Sequence, residues 1–273
     1  MAAVVMAGVP ALADLAAAQK AYARHDWFTA LKEYLPLAQQ GDANAQFIVG
    51  YIYCQGAKPQ YAEALKWFKQ AAVKGHPNAQ FNLGQMYRLG QGVAKNPTEA
   101  ARWYRAAANQ GFADAQLRLG IAYEEGSGVT RDLKQAAELY RLSISNPRHG
   151  DGLAEAQFSL AALYHEGKGV PKDWKIAAKL FEAAAERGYP QAQFNIGWMY
   201  YVPEGVSEDF VKAYMWITLA GRSANGAESV VVQPDATVAG KALEISGELA
   251  KKMTPEQLAQ ADKLINSWKP KTN

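Results

Sequence analysis

Five stretches of this chain spell nearly the same phrase. AQFIVGYIYCQG begins at Ala45, AQFNLGQMYRLG at Ala79, AQLRLGIAYEEG at Ala115, AQFSLAALYHEG at Ala156 and AQFNIGWMYYVP at Ala192. The starts lie 34, 36, 41 and 36 residues apart. A period of this size marks a stacked-repeat architecture, because one such unit cannot bury its apolar face alone and must lean on the next. Every other motif has to be weighed inside that frame.

Three of the phrases run into a Gly-x-Gly-Val turn, at Gly90–Val93, Gly126–Val129 and Gly167–Val170; a fourth keeps Gly205-Val206 with Pro203 in place of the first glycine. Taken singly, YHEGKGVPKD (164–173) looks like a phosphate loop, since backbone N–H groups at a helix start attract anions. A phosphate loop needs a strand before it, and no alternating run precedes any copy. Glycine here serves the positive φ angles of a tight helix–helix turn.

A second helical segment follows each turn: YAEALKWFKQAA, PTEAARWYRAAA, LKQAAELYRLSI, WKIAAKLFEAAA and FVKAYMWITLAG. Asn96, Asp132, Asp173 and Asp209 stand where N-caps belong, and Pro97 fits the first helical position. The unit is therefore helix A, turn, helix B. Ala79, Leu83, Gly84 and Tyr87 share one arc of helix A, with Ala79 and Gly84 small enough for the partner helix to approach. Trp67, Trp103, Phe181 and Trp216 recur in helix B and are expected to pack between helices.

AQFNLGQMYRLGQGV followed by EAARWYRAAANQG resembles the signature of the Sel-one-like repeat family, relatives of the tetratricopeptide repeats. The resemblance covers residues 44–221 in five units, and 26–41 is similar to a helix B whose partner would be 14–24. It implies an all-α fold, an α/α superhelical solenoid of helix-turn-helix repeats used for protein–protein assembly. Residues 14–43 form an N-terminal helical pair on this reading, 222–235 a linker and 236–273 C-terminal capping helices. Thr254-Pro255-Glu256-Gln257 is a capping box with proline at N1. Two irregularities break the period: a short turn in the first unit, GAKPQY, and an insertion at 145–152, SNPRHGDG, expected as a surface loop.

Chemistry is sparse. Cys54 is the single cysteine, which excludes an internal disulfide and a multi-cysteine metal site. His25, His76, His149 and His165 show no i, i+4 zinc pair, and neither a nucleophile elbow nor a Walker sequence occurs. No catalytic residue, cofactor or metal is expected. The net charge of +3, from 29 basic and 26 acidic residues, is spread without blocks, so no nucleic-acid surface is expected. No run reaches the ~18 apolar residues of a membrane span. A cysteine-rich secreted branch of the family is credited with penicillin binding or weak β-lactamase activity. Its paired cysteines would fall at residues such as Ala72 and Gln80, and their absence weakens that analogy.

MAAVVMAGVPALA (1–13) is apolar, and Ala11-Leu12-Ala13 resembles a signal-peptidase site, although the first cation is Lys20. The expectation is a signal peptide whose start lies upstream, and a periplasmic or secreted protein; a cytoplasmic protein is the alternative. In tetratricopeptide-like superhelices helix A lines the concave face. Its one variable row here holds Ile48, Tyr51 and Gln55; Asn82, Gln85 and Leu89; Arg118, Ile121 and Glu125; Ser159, Ala162 and Glu166; Asn195, Trp198 and Val202. The expected protein-binding residues are Tyr51, Asn82, Gln85, Arg118, Ile121, Asn195 and Trp198, a mixture suited to a protein or peptide partner. The expected function is a non-catalytic adaptor or regulator in the bacterial envelope. A weak β-lactamase-like or peptidoglycan-active hydrolase is the alternative.

Overall fold

A computed structural model describes residues 15–55, 58–147, 150–224 and 236–271. Among them are fourteen helices and no strand. They are α1 (Leu15–Ala23), α2 (Trp27–Gln39), α3 (Ala43–Cys54), α4 (Tyr61–Val73), α5 (Pro77–Leu89), α6 (Pro97–Ala108) and α7 (Ala113–Glu125). After these come α8 (Leu133–Ser145), α9 (Leu153–Glu166), α10 (Trp174–Glu186), α11 (Pro190–Tyr201), α12 (Phe210–Ala224), α13 (Ala236–Lys252) and α14 (Pro255–Ser267). The chain divides into two compact units, Met1–Ala115 and Gln116–Asn273. In the first, α1 to α6 each pack on the next. In the second, α8 to α12 do the same, and α13 and α14 both lie against α12.

The helices begin where the sequence offers acceptors. Asn96 Oδ1 accepts from Glu99 N at 3.1 Å, Asp173 from Ile176 N at 2.9 Å and Asp209 from Lys212 N at 3.0 Å; Asp132 accepts from Lys134 and Gln135. Asp26 and Asp42 cap α2 and α3 in the same way, and both halves of the Thr254–Gln257 capping box form. The expected leader (1–13) and Arg148 and His149 of the insertion lie outside the described residues. So does most of the expected linker, although α12 carries its helix on to Ala224.

Within a repeat, a ring on helix B fills a notch on helix A. A Cβ added at Gly84 would sit 2.7 Å from the Tyr104 ring, so any larger residue would push the helices apart. The same relation pairs Gly50 with Phe68 and Gly120 with Tyr140, and at Gly197 the aliphatic Ile217 takes the place of the ring. Ala161 holds the notch position of the fourth repeat, where α10 supplies Phe181. Phe181 thus belongs with Phe68, Tyr104 and Tyr140, not with Trp67, Trp103 and Trp216 one residue earlier. A step of one residue turns a helix by ~100°, so the two columns serve different faces. Phe68, Tyr104, Tyr140 and Phe181 are buried, whereas Trp67 and Trp103 are only half-buried.

At three joints the bond between neighbours is made by the glutamine of the Ala-Gln pair. Gln80 Nε2 donates to Ala72 O at 3.1 Å, Gln46 Nε2 to Ala38 O at 3.0 Å and Gln193 Nε2 to Ala185 O at 3.2 Å. Each carbonyl lies in the last turn of the preceding helix B, where no intrahelical donor remains. Each also accepts the N–H of the turn glycine three residues on, Gly75, Gly41 or Gly188, so both lone pairs are used. The second glycine of the Gly-x-Gly turn then seats one repeat on another. Gly92 has φ +69°, and a Cβ there would lie 2.5 Å from Tyr61 O at the start of α4.

Gly92→Ala should therefore cost about 2 kcal/mol or more in chemical denaturation, from backbone strain plus a clash with main chain. Gly75, at φ +88° with nothing within 4 Å of an added Cβ, carries only the strain, and Gly75→Ala should cost about 1 kcal/mol. Equal losses would show that the close approach at Gly92 is no constraint.

Candidate protein-binding surface

Small residues, the notch, core residues such as Leu83 and the clamp glutamine occupy most of each helix A. The row expected to vary is what they leave over, and none of its members enters the core: each is half-buried or exposed. The structure gives these residues different work.

In the first unit, Tyr51 sits in a ring cluster, 6.0 Å from Tyr22, 6.3 Å from Trp27 and 6.3 Å from Phe47 between centroids. Gln85 Oε1 accepts the Tyr104 hydroxyl and, at 3.0 Å, Arg88 Nε, so its amide anchors the ring that fills the Gly84 notch. Asn82 Nδ2 donates to Asn78 O at 2.8 Å, one turn back on α5. A cavity of about 550 Å³ opens beside this segment, lined among others by Tyr22, Tyr34, Phe47, Ile48 and His76. Its polar rim includes Asn44 and Asn78. Sequence reasoning missed the cavity, although Asn44 and Asn78 hold the same place in successive repeats and could have flagged it.

In the second unit, Arg118 pairs with Glu155 at 3.0 Å, both half-buried. Burial first, then the Glu155 carboxylate, pushes the Tyr189 phenol up to about 12, with Arg118 opposing. Ile121 packs against the core that holds Leu117 and Tyr140. Trp198 is 37% exposed and meets Tyr201 edge-on at 5.7 Å. Lys252 Nζ, from α13, reaches the Tyr201 hydroxyl at 2.6 Å and lies over that ring. Asn195 is half-buried on the same helix. The expected residues therefore sort into anchors (Tyr51, Gln85, Arg118, Ile121), two half-buried asparagines (Asn82, Asn195) and the exposed Trp198.

The turn carboxylates are engaged. Tyr140 donates to Glu124, His165 Nε2 meets Glu204 at 2.8 Å, and Glu166 pairs with Lys168. Burial pushes the Cys54 thiol up to about 11, the wrong direction for a nucleophile. Among the described residues no cluster of three His, Cys, Asp or Glu is placed to hold a metal ion, and no described helix is long and apolar enough to cross a membrane.

If the Arg118–Glu155 pair orients this part of the row, Arg118→Ala and Glu155→Ala should couple. A double-mutant cycle on unfolding free energy should give about 1 kcal/mol at low salt, falling in concentrated salt. Additive single-site losses would mean that the pair fixes nothing.

The sequence profile of the Sel1 repeat matches residues 43–76, 77–112, 113–146, 154–189 and 190–225. The structure is similar to that of c5321, a protective antigen of uropathogenic Escherichia coli strains that displays an SLR fold. The TM-score is 0.74 at 33% identity, over 88% of this chain and 48% of that one, so the chain spans about half the length of that relative. It is also similar to a Sel1 repeat protein from Oxalobacter formigenes, with a TM-score of 0.69 at 28% identity over 85% of this chain and 98% of that one. No curated protein matches. Sel1 repeats are generally protein-interaction scaffolds and typically non-catalytic. With five consecutive repeats and the solenoid fold that goes with them, the chain belongs to the Sel1 repeat family.

Proposed function

We propose that this protein is an adaptor of the bacterial cell envelope that binds a protein or peptide partner on the exposed row of its A helices. The observation that carries the reading is at Ile48. This row residue is also a wall of the 550 Å³ cavity, so in the first unit the variable surface opens into a concavity with an aromatic interior and a carboxamide rim. Concave apolar pockets with a few polar groups are where proteins hold ligand side chains. Carboxamides suit a peptide because each offers both a donor and an acceptor to its backbone. In the second unit the exposed Trp198 supports the same reading, since tryptophan on an accessible surface is over-represented among binding hot spots.

The test must separate lost binding from lost folding. Tyr51→Ala and Gln85→Ala would disturb the ring cluster and the Tyr104 anchor, so the informative changes are Ile48→Asp, Asn82→Ala and Trp198→Ala. Full-length protein should crosslink a defined partner in an envelope extract. Asn82→Ala and Trp198→Ala should keep the wild-type melting profile, whereas Ile48→Asp should melt lower because Ile48 packs against the core that holds Val49. All three, folded at the assay temperature, should lose at least tenfold in affinity for the purified partner, the ~1.4 kcal/mol scale of one anchor. Val73→Ser, at a highly exposed position on α4, should bind as wild type does. A partner held equally by all four variants would overturn the row as the binding surface. A partner found only in the cytoplasm would overturn the envelope assignment and leave the adaptor reading standing.

A further inference from the structure

Among the helices with a described side-chain cap, α5 differs in kind; α4, α9 and α11 have no such cap. Where α2, α3, α6, α8 and α10 start from Asp or Asn and α14 from Thr, α5 starts from His76. His76 Nδ1 accepts the Ala79 N–H at 3.3 Å, which fixes the imidazole as a neutral tautomer with its hydrogen on Nε2. That Nε2 lies 3.1 Å from Asn44 Oδ1, and the ring stacks on Phe47 at 4.8 Å between centroids. One side chain therefore caps α5, bonds to α3 and forms part of the cavity wall.

We infer that His76 makes the joint between the first two repeats acid-sensitive: protonating its imidazole withdraws the cap from α5 and reshapes the cavity. The step needs one proton, taken from solvent onto Nδ1, with no bond broken besides hydrogen bonds. Once both ring nitrogens carry hydrogen, Nδ1–H and Ala79 N–H face each other as two donors. The ring must then turn away, and turning breaks the Asn44 contact and the stack on Phe47 together. An aspartate or asparagine cap has no such transition between neutral pH and mild acid.

The surroundings set the direction. Burial lowers the His76 pKa from its ordinary 6.5, while its own backbone contact and the Asp42 carboxylate oppose the shift. Asp42, capping α3, is the charged group facing the ring from that helix, and Tyr22 of α1 and Tyr34 of α2 are the titratable groups across the cavity. Lys74, at the end of α4, donates its ammonium to Gly41 O. With the folded pKa below the unfolded one, the unfolded chain takes up the proton first. The contribution to stability is thus whole above pH 6.5 and is lost as pH falls from there through the lowered folded value. The inference concerns the frame and stands whether or not the cavity holds a partner.

Amide hydrogen exchange and the ring shifts of His76, followed by NMR on the full chain from about pH 7.5 to about pH 5, test it directly. After correction for the chemical exchange rate, the Ala79 amide should exchange about fivefold faster in acid, the factor that loss of one cap implies. The change should track the His76 ring titration. His76→Asn and His76→Asp keep an acceptor at the cap and should abolish it, as read by exchange and by the acid limb of the melting temperature. An Ala79 exchange rate that ignores the ring titration in the wild-type protein would overturn the inference. So would an acid response that persists in either variant.

Discussion

An amide hydrogen bond that reaches back eight residues holds one repeat to the next. Gln46, Gln80 and Gln193 lie on the A side of their joints, deep enough that an unpaired amide would be costly. Each gives its N–H to a carbonyl in the final turn of the preceding B helix. The net worth of such a bond is only about 1 kcal/mol, but leaving the pair unmade would strand buried groups at about 1–3 kcal/mol each. The clamp acts as a register device: only one approach of helix A brings the amide to the carbonyl. With register fixed, the ring of helix B falls on the glycine notch of helix A, as Tyr104 does on Gly84. Because the carbonyl and the turn glycine are shared by the same joint, backbone polarity is satisfied at the point where helices would otherwise end in unpaired groups.

This frame decides what the surface can be. On each A helix, the positions that serve the clamp, notch and core leave a narrow remainder. Even that remainder is partly drawn into structure: Gln85 holds the Tyr104 hydroxyl, and Arg118 is tied to Glu155 on α9. On the proposed adaptor reading, specificity thus rests on few side chains. Some of them are braced by bonds to the frame, which lowers the entropy lost when a partner is held.

Much of the fold was legible because repetition makes one sequence its own alignment. The period, the glycine turns and the caps at Asn96, Asp132, Asp173 and Asp209 follow from spacing and side-chain chemistry, which local structure obeys. The meaning of the glutamine was not legible. An amide beside alanine reads as a polar surface residue until the neighbouring B helix is placed, since its partner carbonyl lies across a turn. The exchange of Phe181 between columns has a similar cause: two large apolar residues sit side by side on helix B, and composition cannot say which faces helix A. The candidate surface was legible as a row but not as a division of labour. Tyr51 and Arg118 look like exposed anchors in sequence because Trp27 and Glu155, their partners, lie far from them along the chain.

Histidine at the α5 cap shows how a repeat frame can gain a property without changing its geometry. Any acceptor would start the helix, and aspartate does so at α3 through the same contact to the alanine three residues on: Asp42 Oδ1 accepts from Ala45 N at 2.7 Å. Replacing that acceptor by imidazole keeps the fold and adds a second nitrogen, which the first repeat engages through Asn44. The cap is then coupled to the cavity wall, because the ring that starts α5 also lies flat on Phe47. In a molecule whose buried side chains are nearly all apolar, few groups can respond to solution conditions. The joints, where helix ends bring polar backbone and side chains together, are where such a response has physical room to arise.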